Sequence, residues 1–81
     1  MGRIPRVIHL LGYTVKVKQV SPRQMAALDP QDPRCLNAMW IDQEQTIYLR
    51  NTLGPRQKRQ ALWHEIQHAI VDLREWDLRP L

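Results

Sequence analysis

Eighty-one residues carrying one cysteine, Cys35, make a single small domain at most and exclude an intrachain disulfide, in keeping with a reducing cytoplasm. Twelve Lys and Arg against eight Asp and Glu leave a net charge of +4, but apart from Arg56, Lys58 and Arg59, which cluster at a helix start, the cations are scattered, which argues for a solvated basic surface and against a nucleic-acid partner. No run approaches the roughly 18 consecutive apolar residues of a membrane span, and the basic, apolar start lacks a small-residue cleavage site, so the expectation is a soluble cytoplasmic protein.

Along the chain, Tyr13, Val15 and Val17 alternate with Thr14, Lys16 and Lys18, the period of a half-buried strand. Arg6 to Leu11 is its candidate hairpin partner across Gly12; one long bent strand is the alternative. His9 lies in this apolar run, where a core or edge histidine is the simpler reading than a ligand. Ser21-Pro22 has the form of a helix start, N-cap followed by Pro at the first helical position, with Met25, Ala26 and Leu28 as a short apolar face. The run DPQDPR, residues 29–34, ends that helix in a surface loop, and Cys35 beside it is an ordinary loop residue.

Residues 37–50, NAMWIDQEQTIYLR, have the pattern of a second hairpin: Ala38 to Ile41, a turn over Asp42 to Gln45, then Thr46 to Arg50. After Asn51 to Gly54, Pro55 opens a long helix running to about Trp76, and Arg79-Pro80 ends whatever helix remains. Trp40, Trp63 and Trp76 are expected to anchor the core or its rim, Trp63 without need of a substrate contact.

That helix holds the chemistry. At about 100° per residue, with His64 at zero, His68 falls near 40°, Asp72 near 80° and Glu65 near 100°. Leu62, Ile66, Ala69, Ile70 and Leu73 spread over roughly 140–240°, so an apolar face and an ionisable face share one helix. Two histidines at i and i+4 sit one turn apart and reach a single ion, while Glu65, placed aside, is suited to hold a metal-bound water and take its proton. The spacing is the H-E-x-x-H pattern of zinc hydrolases. Coincident surface histidines are the bland alternative; the motif's place mid-helix, in phase with an apolar face, weighs against it.

Over about residues 37–73, the strand TIYLR, the connection NTLGPRQKRQ and the motif ALWHEIQHAI resemble small zincin metallopeptidases of the gluzincin kind, more narrowly the ImmA/IrrE-type and minimal phage-borne domains. The resemblance implies one zincin-like domain over 1–81. Its fold would be α+β, a small, mainly antiparallel sheet of three to four strands packed on a long HExxH active-site helix, with one short additional helix. It implies a Zn²⁺ cofactor held by His64 and His68, Glu65 as general base, and Thr46 to Arg50 as the sheet edge along which an extended peptide lies. The implied partner is a peptide or a regulatory protein, and the implied function is hydrolysis of its peptide bonds. A catalytically degenerate binding or regulatory module on the same scaffold is the alternative.

The departure lies beyond His68, which only 13 residues follow. Gluzincins take their third ligand, a glutamate, from a later helix, for which this chain has no evident room. Asp72 stands one turn, about 6 Å, past His68, too far for a shared ion; it is better placed to accept a hydrogen bond from a ligand histidine. Glu75 is farther still, and Asp77 would serve only if the chain reversed near Trp76. A fragment of a longer chain, a ligand from a second copy in a homodimer, or two histidines completed by water remain open.

Overall fold

The computed structural model describes residues 3–29 and 37–78, the side chains of 77 and 78 excepted. The loop expected over 29–34 lies, beyond Asp29, outside the described residues, as do Cys35 and the expected Arg79-Pro80 stop. The described residues form an α+β fold, with a four-stranded mixed sheet and two helices.

The first hairpin joins β1 (Val7–Leu10) to β2 (Tyr13–Val20). Leu11 and Gly12 form its two-residue loop at φ 53° and 83°, both in the left-handed region that the tightest hairpin turns require. Glycine meets this without cost, whereas Leu11 holds it as a branched residue, half exposed at 50%. The alternation in β2 holds: Val15 and Val17 are buried, and Thr14, Lys16 and Lys18 face out.

Helix α1 (Pro22–Leu28) starts as its sequence dictates, with Ser21 and Gln24 forming a reciprocal capping box. Met25 is its one buried residue; Ala26, expected on the apolar face, is exposed. The second hairpin, β3 (Ala38–Ile41) and β4 (Thr46–Arg50), turns through a 3₁₀ segment at Asp42–Glu44 and a left-handed Gln45. Thr46, buried at the start of β4, donates its hydroxyl to the Glu44 carbonyl at 3.0 Å.

The strand order is β1-β2-β4-β3. Two of the three pairings are antiparallel, but β2 and β4 run parallel, with Val17 opposite Ile47 and Gln19 opposite Leu49. This corrects the sequence reading of β4 as the sheet edge: β4 is interior, with Thr46, Ile47 and Leu49 buried, and β3 is the edge. Alternation does not report a strand's place in its sheet: β2, also flanked on both sides, keeps it, whereas β4 buries Thr46, Ile47 and Leu49.

Helix α2 (Pro55–Leu78) is the longest element, 24 residues. Leu62 and Leu73 join Val15, Val17, Ile47 and Leu49 in one buried cluster, with Ile66, Ala61, Trp40 and Trp76 packed against it. Near its far end Trp76 meets Tyr13 edge to face, with ring centroids 5.9 Å apart, which ties the helix to the first hairpin. Trp63 does not anchor the core: it is 63% exposed, because its place at the border of the apolar stripe turns outward here. No helix among the described residues is long and apolar enough to cross a membrane.

Candidate metal centre

The middle of α2 faces the outer edge of β3. Arg50 donates its amide to the Asn37 carbonyl across the second hairpin, so the alternation of an antiparallel pair turns the backbone groups of Ala38 and Trp40 away from β4, toward α2. An outward-facing strand amide needs an acceptor, and Glu65 supplies it: the Trp40 N–H donates to Glu65 Oε1 at 3.0 Å. The indole of the same residue donates from Nε1 to Asp72 Oδ2 at 2.8 Å. One residue of the edge strand is thus bound to two turns of α2.

His64, Glu65 and His68 form a group whose ligand atoms all lie within 4.8 Å of one another. Both imidazoles are exposed and Glu65 is half-buried. The Nε2 atoms of His64 and His68 are 3.2 Å apart, and the rings meet at 75° with centroids 4.8 Å apart. Two nitrogens bound to one tetrahedral zinc at about 2.0–2.1 Å stand about 3.3–3.4 Å from each other, so the pair is spaced as a chelate. Without an ion the same geometry is a histidine–histidine hydrogen bond, its direction set by the tautomers.

Two grooves open between β3 and α2 on either side of Glu65. One, of about 450 Å³, is bounded by Asn37, Ala38 and His64; the other, of about 380 Å³, by Met39, Trp40, His68 and Asp72. Glu65 borders both.

Asp72 and Glu75 do not join the group. Asp72 was expected to accept from a ligand histidine; it accepts from Trp40 instead, because the turn beyond His68 carries it to the edge of β3, where the indole N–H needs a partner. Glu75 lies outside the group, roughly 16 Å along the axis from His64. The helix continues through Leu78 without the reversal that Asp77 would need. Among the described residues no third ligand joins the two histidines and Glu65. His9 is exposed on the edge strand β1, outside the group.

The residue that sequence reading did not find is Trp40. Its residue type marks it only as an anchor of the core or its rim, and its contacts to Glu65 and Asp72 span 25 and 32 positions, beyond any local pattern.

Compared with protein-family models, curated proteins and solved structures, the chain has no significant match.

Proposed function

We propose that the chain is a zinc-dependent peptidase-like domain of zincin type, in which the sheet and the HExxH helix together form the active-site scaffold. The observation that carries the reading is the 3.2 Å separation of the His64 and His68 Nε2 atoms, with the Glu65 carboxylate beside them. Zinc bound by this pair would supply Lewis-acid activation of its water, lowering the water pKa toward about 7. Glu65 would take the proton from that water through its second oxygen, since Oε1 is held by the Trp40 amide, and would pass it to the leaving amine. The substrate class is an extended peptide or a segment of a regulatory protein, lying in the grooves between β3 and α2, with the Trp40 amide already held by Glu65 and so not open to pair with it. The remaining ligand position falls to a residue of a longer chain, to a second copy of the chain or to water.

A second reading, a catalytically degenerate binding or regulatory module, draws on two observations. Glu65 is engaged by the strand amide, and the group has no third ligand among the described residues.

The deciding experiment is zinc stoichiometry on the 81-residue chain and its His68→Ala and Glu65→Gln variants, with hydrolysis of an unfolded protein substrate measured in parallel. The expected result is near one zinc per chain, lost in His68→Ala and kept in Glu65→Gln, with hydrolysis lost in both. Full hydrolysis by Glu65→Gln would refute the assigned base. Bound zinc without hydrolysis would decide for the module, and equal zinc in His68→Ala and the parent would reject both readings.

A further inference from the structure

A separate cavity of about 490 Å³ lies where the segment before β1 meets the first turns of α2. Four cations border it: Arg3 and Arg6 from that segment, Lys58 and Arg59 from α2, with Gln19 of β2 between them. No carboxylate lines it, and none of the four makes an ion pair among the described residues. Like charges gathered without a counter-ion repel one another and are favoured only when an anion joins them.

The walls are held in place before any ligand arrives. Ile4 packs against the core cluster, and the Arg6 carbonyl accepts the Val17 amide at 2.8 Å, which pins the segment to β2. Arg3 and Arg6 therefore flank a fixed stretch of backbone, and Lys58 and Arg59 project from a 24-residue helix. The cavity shares no lining residue with the two grooves beside Glu65, so it is separate from the histidine site.

The geometry points to an anion site for a phosphate-bearing ligand, bound through its phosphates. Three arginine forks and an ammonium within one cavity match the several acceptor oxygens and multiple charge of a phosphate group, which a single carboxylate does not present. The volume takes more than one phosphate. Beyond the charged groups and Gln19 the lining is Ile4 and Pro55, with no aromatic ring, so a nucleobase finds nothing to stack on and the ligand is read by charge rather than by base. Pyrophosphate and a polynucleotide backbone share this chemistry.

The test is calorimetric titration of the full chain with inorganic pyrophosphate, a 12-nucleotide single strand and oligoglutamate, at about 50 mM salt with EDTA present, where screening is modest. Pyrophosphate is expected to bind and oligoglutamate to bind at least tenfold more weakly. The double variant Arg3→Gln/Arg59→Gln is expected to lose roughly tenfold or more in affinity, as removal of charge-assisted hydrogen bonds implies. Arg23→Gln/Arg74→Gln, which removes equal charge elsewhere, is expected to keep it, circular dichroism verifying the fold of each. Binding of the single strand in excess of pyrophosphate would identify the source as a polynucleotide; binding of pyrophosphate alone, a small phosphate ligand. No pyrophosphate binding, equal binding of oligoglutamate, or equal loss in both double variants would overturn the site. Glu65→Gln is expected to bind pyrophosphate as the parent does, so failure of the peptidase reading leaves this outcome distinguishable.

Discussion

The Trp40 amide and the Glu65 carboxylate, 25 residues apart in sequence, are joined by a 3.0 Å hydrogen bond, and the Trp40 indole continues the connection to Asp72 at 2.8 Å. The edge strand therefore sets where the carboxylate of the H-E-x-x-H helix stands. It also blunts the edge itself, since an amide that would invite another strand is already taken.

The Asp72 end of this connection is testable by stability. Asp72→Ala leaves a part-buried indole N–H without an acceptor and is expected to cost about 1 kcal/mol, whereas Asp72→Asn keeps an acceptor oxygen and is expected to cost a few tenths. Urea unfolding followed by tryptophan fluorescence measures both. Equal destabilisation by the two substitutions would show that the carboxylate charge, and not the hydrogen bond, matters.

Zinc is expected to stabilise the chain by linkage, by about 2.7 kcal/mol at a hundredfold excess over its dissociation constant. For a domain of this length that is a rise in Tm of roughly 10–20 °C. Thermal scans with zinc, then with EDTA added, check the rise and its reversal. His64→Ala and His68→Ala are each expected to abolish it, because neither imidazole chelates alone.

At the first hairpin, Leu11 holds φ 53° with half its surface in solvent. Leu11→Asn is expected to stabilise by about 0.5–1 kcal/mol, since asparagine tolerates the left-handed region at lower cost and little burial is lost. A higher urea midpoint with unchanged m-value is the expected reading; a lower midpoint would mean that Leu11 packs more than its exposure implies.

The Tyr48 hydroxyl donates to Glu44 Oε1 at 2.5 Å, and this bond, with burial and the neighbouring charge of Glu44 adding to it, raises the phenol above its usual value of 10.0. A raised folded-state value means that the neutral phenol is the stabilised form. The contribution is therefore fully present below pH 10 and is lost as the pH rises through the folded-state value. Spectrophotometric titration of tyrosinate should show a late-ionising phenol that moves to lower pH in Glu44→Gln. An unmoved titration would break the assignment.

Local chemistry made much of this architecture readable from the chain. Alternation in residues 13–18, the Ser21-Pro22 cap, the hairpin over 38–50 and the helix opening at Pro55 each rest on neighbours within a few positions, and each is where the sequence places it. The grouping of His64, Glu65 and His68 is equally local, since one turn of helix is enough to bring them together.

What tertiary structure alone decided is non-local. The sheet accepts β4 between β2 and β3, a parallel pairing across 25 or more residues that no turn dictates, and this moved the open edge from Thr46–Arg50 to Ala38–Ile41. The same placement set the Trp40 amide against Glu65 and its indole against Asp72, giving Asp72 a partner other than histidine. Periodicity says which face of a strand or helix is apolar; which elements meet, and so which polar groups need one another, follows only when the faces are packed.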